Sequence, residues 1–146
     1  MSSLNQQTNP IPQGRYLPAT RFGNLIYTAG MTPRKNGQLI QTGKVSASKP
    51  IHEYKEAVVQ AVSNALTAAL NALNEQEQLE QILSLTVYIN AEEGYKDHPK
   101  LADFASDYLY EKLGDKGIGS RAAIGVASLP GDAPVEIQLI AAVTSK

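Results

Sequence analysis

The chain has 146 residues, of which 42% are hydrophobic and 18% charged, and its formal net charge is −1. This length and composition indicate a globular chain with one respectable core, and the balanced charge offers no basic surface for nucleic acid or acidic lipid. The sequence contains no cysteine, which excludes disulfides, thiolate metal ligands and a cysteine nucleophile.

The start of the chain is polar and contains Pro10 and Pro12, so residues 1–13 are predicted to form a flexible tail. Residues 14–146 are predicted to form a single domain. The tail lacks the basic and apolar regions of a secretory signal, and no apolar run approaches the roughly 20 residues of a membrane helix. A cytoplasmic protein that does not bind membranes is therefore expected.

Short strands separated by turns are predicted in the first part of the domain. The run Leu25–Thr28 is aromatic and β-branched, which favours a strand, and a turn at residues 22–24 separates it from an earlier strand-like run. The pair Asn36-Gly37 is a strong hairpin signal, and a short strand at residues 39–40 follows it.

Two helices are predicted from apolar residues that recur every three or four positions. The first begins at Pro50 and fades in the polar stretch of residues 74–78, and its many alanines allow it to lie close to a sheet. The second runs from about Pro99 to Leu113, and Gly114 is suited to end it.

Three further strands alternate with these helices or follow them. Residues 82–90 alternate between apolar and polar side chains, with Leu83, Leu85, Val87 and Ile89 on one face. Two final strands, residues 121–127 and 134–143, are joined by a turn at residues 129–132. A simple hairpin about Gly131 would pair Arg121 with a residue near Ala141.

The order of elements predicts an α+β fold in which two helices pack on one face of a mixed six-stranded sheet. The other face of the sheet is semi-polar and carries Ser84, Thr86, Tyr88, Glu136, Gln138, Ile140 and Ala142. We expect this face to pack against other copies of the chain, because so large a surface of mixed polarity is suited to an interface.

Two opposite charges stand out in the otherwise apolar segment of residues 120–143. Arg121 heads one predicted strand, and Glu136 begins the next on the face that points away from the helices. One interpretation is a structural ion pair, whose net contribution is small because desolvation offsets the Coulomb attraction. The other is a site in which Arg121 offers a two-donor fork to a ligand carboxylate while Glu136 holds a water or moves a proton.

Two separated motifs resemble those of the Rid family (reactive intermediate deaminases), also called the YjgF or endoribonuclease L-PSP family. The segment Gly23–Pro33 is similar to the family motif G-N-x-[IL]-[YF]-x-[ST]-G-Q-x-P. Three stretches near the end of the chain together resemble the closing signature of the family: Arg121 with the small apolar strand after it, Leu129-Pro130, and Val135-Glu136-Ile137. The resemblance extends from about residue 14 to residue 143.

The resemblance implies a chorismate-mutase-like fold and a homotrimer whose sheets form an inner barrel, with ligand clefts between subunits. It implies hydrolysis of damaging 2-imino and 2-enamino acids, such as 2-aminoacrylate and 2-iminobutyrate, to 2-keto acids and ammonia, without metal or cofactor. By correspondence with the motifs, Arg121 grips the substrate carboxylate and Glu136 places the attacking water. Tyr16 corresponds to a tyrosine near the cleft wall, and the backbone of Gly30 lies beside the ligand.

Three positions at the expected site depart from the family pattern. Ala29 and Met31 stand where the deaminases usually have serine and glutamine, so two hydrogen-bonding side chains are missing. Asp103 stands where the family often has asparagine, and a carboxylate that reached the site would repel a carboxylate ligand. Alternatively, Asp103 simply lies with Asp107 on the polar stripe of its helix.

Three functions follow from these observations. The first is the deaminase, supported by Arg121 and Glu136 together. The second is a trimer that binds 2-keto acids or other small carboxylates without efficient hydrolysis, supported by the three departures, since a shared fold does not determine activity. An endoribonuclease is least favoured, because the chain lacks a basic aromatic face and its two histidines, His52 and His98, form neither an acid–base pair nor a metal-site spacing.

Overall fold

A computed structural model describes residues 7–146, so the first six residues of the predicted tail lie outside the described part. Within residues 7–146 the strands and helices are β1 (Ala19–Phe22), β2 (Leu25–Thr28), β3 (Arg34–Lys35), β4 (Gln38–Leu39), α1 (Lys55–Leu70), β5 (Glu77–Asn90), α2 (His98–Leu113), β6 (Ser120–Val126) and β7 (Val135–Ser145). None of the helices in this part is both long enough and apolar enough to cross a membrane.

The main sheet has the strand order β1-β2-β7-β5-β6, and only its β5 and β6 strands run parallel. α1 packs on β7, and α2 packs on β6 and on α1, which confirms the predicted mixed sheet with two helices. The sheet has five strands rather than six, because β3 and β4 pair with each other in a separate hairpin. The turn of this hairpin is the predicted one, with φ angles of 55° at Asn36 and 82° at Gly37.

The last two strands do not form the simple hairpin about Gly131 that their connecting turn would allow. β6 pairs in parallel with β5, whereas β7 lies on the other side of β5 and pairs with β5 and β2. The burial of the two strands gives the reason: β7 alternates buried and half-buried residues along nearly its whole length, which suits the centre of a sheet. β6 is mostly exposed and forms an edge.

α1 lies at the centre of the core, and its alanines at positions 57, 61, 65, 68 and 69 are all buried. Pro50 precedes a 3₁₀ turn, Ile51–Tyr54, rather than the α-helix itself. The side chain of Tyr54 is buried, and its hydroxyl accepts a 2.9 Å hydrogen bond from the backbone N–H of Ser46, which anchors this turn. α2 begins and ends close to its predicted limits, and Gly114 caps it with a φ of 69°.

β5 is longer and less regular than the alternating pattern predicts. It begins at Glu77, because the polar stretch after α1 pairs with the end of β7. A register irregularity between Ile82 and Ser84 places Ile82 in the core and leaves Leu83 39% exposed, although the alternation predicted Leu83 on the same face as Leu85.

The second face of the sheet carries the predicted semi-polar residues, and each of them is half-buried. Cross-strand pairs join Tyr88 to Glu136 and Thr86 to Gln138 on this face. Because the residues of β7 on either side of Glu136 are buried against the helices, the Glu136 side chain points away from them.

Candidate functional site

The backbone at Gly30 lies directly against the carboxylate of Glu136. The chain leaves the sheet after β2 and rejoins it at Met31, whose N–H donates to the carbonyl of Ile137 at 2.7 Å and whose carbonyl accepts from the N–H of Ile137 at 2.9 Å. This bridge holds Gly30 over the neighbouring Glu136, and a Cβ on residue 30 would overlap Oε2. Only glycine leaves room for the carboxylate in this position.

A cavity of about 470 Å³ opens beside Glu136. It is lined by Tyr16, Leu17, Thr20, Tyr27, Thr28, Ala29, Gly30, Pro130 and Glu136. The structure thus brings together four of the residues singled out in the sequence: Tyr16, Ala29, Gly30 and Glu136. The Tyr16 hydroxyl accepts a 3.0 Å hydrogen bond from the N–H of Gln13, and the N–H of Ala29 donates to the carbonyl of Pro18 at 2.8 Å, which fixes the rim of the cavity.

Among residues 7–146, Glu136 is the only charged residue in the lining of this cavity. Its carboxylate makes no hydrogen bond or ion pair with the side chains and backbone of residues 7–146. Burial raises the pKa of Glu136 above its ordinary value, because desolvation disfavours the charged form. An unpaired carboxyl group with a raised pKa is suited to exchange a proton with a bound water or ligand.

Arg121 lies on the opposite side of the sheet. It pairs with the buried Leu85 of β5, so its side chain points toward α2. There its Nη1 donates to Asp103 Oδ1 at 2.7 Å and to Ser106 Oγ at 3.1 Å, and its Nη2 donates to the carbonyl of Pro99 at 3.4 Å. The Asp103 side chain is 61% exposed and that of Arg121 is 25% exposed, so this ion pair lies at the surface.

The two charges that stand out in the sequence do not meet within one chain. On β5, Arg121 pairs with Leu85 and Glu136 pairs with Tyr88, three residues further along the strand. β5 lies between β6, which carries Arg121, and β7, which carries Glu136. Their Cα atoms are therefore about 14 Å apart and their side chains point to opposite faces. The ion pair of Arg121 is formed with Asp103, which lies exposed with Asp107 on the polar side of α2, as one of the two interpretations predicts.

Sequence reasoning missed Ser106, which shares Arg121 with Asp103. The i, i+3 spacing of these two residues places them on the same face of a helix and was the available signal. Met31 was expected at the ligand, but its side chain is 6% exposed, belongs to the core and is absent from the lining of the Glu136 cavity. Its bridge with Ile137 turns it toward the helices; it contributes instead to a second cavity of about 580 Å³ between the N-terminal segment, β3 and α1.

Asn90 is a second residue that the sequence did not reveal. It is fully buried, and its Nδ2 donates to Asp132 Oδ1 at 3.1 Å and to the carbonyl of Ala133 at 3.0 Å. Its Oδ1 accepts from Lys44 Nζ at 2.9 Å. These bonds tie the end of β5 to the turn that carries Pro130 into the Glu136 cavity and leads into β7.

The remaining titratable residues suggest no metal centre. Residues 7–146 contain no group of three or more histidine, aspartate or glutamate side chains that could hold a metal ion. His98 stands at the first position of α2, where its ring makes an edge contact with Tyr95, with centroids 5.3 Å apart, and its Nε2 lies against Gly125 of β6.

Known proteins resemble this chain over almost its whole length. A RutC family protein of Pyrococcus abyssi is 28% identical over 132 residues, which cover 90% of this chain and 89% of the relative. A crystal structure of a protein of unknown function from Agrobacterium tumefaciens is 29% identical, with a TM-score of 0.81, and the match covers 97% of this chain and 90% of that one. The YjgF gene product of Escherichia coli, at 19% identity and a TM-score of 0.67, shares the fold over 95% of this chain and 94% of its own.

The model of the family described as endoribonuclease L-PSP matches residues 6–143. This range contains every residue of the Glu136 cavity and the whole Arg121–Asp103 pair. The chain therefore belongs to the endoribonuclease L-PSP family, the YjgF or Rid family that its two motifs indicate.

Proposed function

We propose that this protein hydrolyses reactive 2-imino and 2-enamino acids to 2-keto acids and ammonia, at clefts between the subunits of a homotrimer in the cytoplasm. The observation that carries the proposal is the unpaired carboxyl group of Glu136, half-buried in a cavity of about 470 Å³ where Gly30 leaves it room. Membership of the family also supports this chemistry.

The reaction needs little beyond a placed water and a proton acceptor. Glu136 accepts a proton from water as the oxygen attacks C2 of the iminium, and a carbinolamine forms. The proton then passes to the nitrogen, the C2–N bond breaks, and the carbinolamine hydroxyl becomes the keto oxygen as its proton leaves with ammonia as ammonium. A 2-enamino acid enters the same path after protonation at C3. Positioning and general acid–base catalysis are sufficient for this chemistry because the iminium carbon is already electrophilic.

A cleft between copies would reconcile the positions of Arg121 and Glu136. Arg121 lies on the edge strand β6, and Glu136 lies on the half-buried second face of the sheet, so a neighbouring copy can bring its own Arg121 to the Glu136 cavity. The guanidinium would then hold the acyl end of the substrate while Tyr16 closes the wall of the cavity.

A second candidate function is favoured by Ala29 in the lining of the Glu136 cavity. Because the hydrogen-bonding serine of the family pattern is missing there, the protein could bind small carboxylates or keto acids without turning over imines efficiently. The family description as an endoribonuclease gains no support from the site, since the lining of the Glu136 cavity contains neither a histidine nor a cation to act on a phosphodiester.

A coupled assay separates these candidates. A pyridoxal-phosphate dehydratase generates 2-iminobutyrate in situ, and release of 2-oxobutyrate is followed with the wild type and with Glu136→Gln, Arg121→Ala and Asp107→Asn. We expect the wild type and Asp107→Asn, which changes an exposed residue of α2, to accelerate release of 2-oxobutyrate. Glu136→Gln and Arg121→Ala should not accelerate it. Binding of 2-oxobutyrate without acceleration would favour the carboxylate-binding function instead.

A further inference from the structure

The contacts of Arg121 leave a defined part of its guanidinium free. Both protons of Nη1 are directed to acceptors, Asp103 at 2.7 Å and Ser106 at 3.1 Å. Nη2 has one longer contact with the carbonyl of Pro99, and Nε has no acceptor among residues 7–146. The edge formed by Nε and Nη2 can therefore still donate two parallel hydrogen bonds to a planar group.

The charges around this edge are unfavourable for an anion. Asp103 compensates the charge of Arg121, and the Glu136 cavity, which the proposed cleft would join to Arg121, contains no lysine or arginine in its lining. Two carboxylates, Asp103 and Glu136, then stand against one guanidinium. An uncharged carbonyl could use the free donors of Arg121 without meeting this repulsion.

We propose that Asp103 determines the charge of the substrate: the site selects 2-imino or 2-enamino compounds whose acyl group is an uncharged amide or ester over those with a free carboxylate. This inference rests on the proposed function, because it requires that Arg121 meets the acyl end of the substrate. Ala29 is consistent with it, since a small apolar residue in the cavity lining leaves room for the larger acyl group. Asp103 acts here as a specificity-determining residue, through the charge it places beside the donors.

The test compares two ligands that differ only in this charge, 2-oxobutyrate and 2-oxobutanamide. Their dissociation constants are measured by calorimetry or ligand-observed NMR for the wild type, Asp103→Asn, Asp107→Asn and Arg121→Ala. Asp103→Asn keeps an oxygen acceptor for Nη1 and removes only the charge, whereas Asp107→Asn removes the same charge one helical turn away. The wild type should bind the amide more tightly.

Asp103→Asn should tighten binding of 2-oxobutyrate by about tenfold, because Asp103 is largely exposed and the repulsion between two charges about 6 Å apart then lies between its values in bulk water and at a protein surface. The variant should leave the affinity for the amide within about twofold. Asp107→Asn should change neither ligand. An unchanged or weaker affinity of Asp103→Asn for 2-oxobutyrate, or a wild type that prefers the carboxylate, would overturn the role of Asp103 but not the proposed function, provided that Arg121→Ala still abolishes binding. If no variant binds either ligand, the proposed function fails and this inference fails with it.

Discussion

The α-carbon of Gly30 lies so close to Glu136 that a side chain at residue 30 and the carboxylate at its present position exclude each other. The close approach follows from the bridge between Met31 and Ile137, which holds the backbone on either side of the contact. The carboxylate is the flexible end of a side chain, so it can yield where the backbone cannot. The geometry of the site is therefore more sensitive to residue 30 than the stability of the fold.

Replacing Gly30 by alanine should move the Glu136 carboxylate away from its position over the cavity. We expect the rate of imine hydrolysis to fall by about 100-fold, since displacements of about 1 Å have effects of this size, while thermal unfolding changes little. The double variant Gly30→Ala, Glu136→Asp tests whether the loss comes from the overlap between the new Cβ and the Glu136 carboxylate, because the shorter aspartate side chain relieves this overlap. If Gly30→Ala hydrolyses imines at the wild-type rate, the position of the carboxylate over Gly30 has no role.

The raised pKa of Glu136 should give the proposed hydrolysis an acid limb in its pH profile. If the deprotonated form accepts the proton from water, as we propose, kcat/KM should fall as pH falls through the folded-state pKa, at a pH above the ordinary value of 4.5. Glu136→Gln should remove both the activity and the limb.

Protonation of this buried group favours the folded state, so its contribution to stability is present at acid pH and is lost as pH rises from 4.5 through the folded-state pKa. Glu136→Gln should therefore unfold at a higher temperature than the wild type at pH 8, and an equal or lower temperature would contradict the cost of burying this charge.

The ion pair between Arg21 and Glu77 should make the fold sensitive to acid. Nη1 and Nη2 of Arg21 donate to Oε1 and Oε2 of Glu77, each at 2.6 Å, and this hydrogen bonding lowers the pKa of Glu77 from 4.5 to about 2. The stabilisation is complete above pH 4.5 and is lost as pH falls toward 2. Urea titrations at pH 7 and pH 3 should show a smaller loss of unfolding free energy for Glu77→Gln than for the wild type. Glu75→Gln, an exposed residue without an ion pair among residues 7–146, serves as the control and should behave like the wild type.

Removing the Asn90 side chain should destabilise the turn beside the cavity. Asn90→Ala leaves Lys44 Nζ, Asp132 Oδ1 and the carbonyl of Ala133 without their shared partner. We expect the free energy of unfolding to fall by about 2–3 kcal/mol, because unmade hydrogen bonds in a buried position are costly, and this can be measured by urea denaturation. Lys44→Met, at an exposed residue, removes one of these bonds together with the 2.6 Å hydrogen bond from Nζ to the carbonyl of Ala127. A loss as large as that of Asn90→Ala would mean that the lysine rather than the amide holds the turn.

A charge on the second face of the sheet should prevent assembly of the proposed trimer. Gln138 is half-buried at the centre of this face, opposite Thr86. Light scattering should give the wild type three times the monomer mass of 15.7 kDa, and Gln138→Arg should give monomers, because a buried unpaired charge is unfavourable at an interface. Glu111→Arg, on the exposed surface of α2, should remain a trimer. A monomeric wild type would remove the basis for a cleft between subunits.

The sequence by itself determined the elements that depend on short-range patterns. The alternation in residues 135–143 assigned Glu136 to the face away from the helices, and Asn36-Gly37 marked its hairpin, since period and turn chemistry are local properties. The family was also readable, because its two motifs lie in short contiguous stretches.

Only the tertiary structure decided which strands and side chains are neighbours. β6 lies beside β5 rather than β7, Leu83 turns outward at an irregularity in β5, and Met31 points into the core. The partner of Arg121 is Asp103, eighteen residues before it, because the crossover through α2 brings helix and edge strand together. Such contacts depend on the competition of all apolar surfaces for one core, and no local pattern in the chain records its outcome.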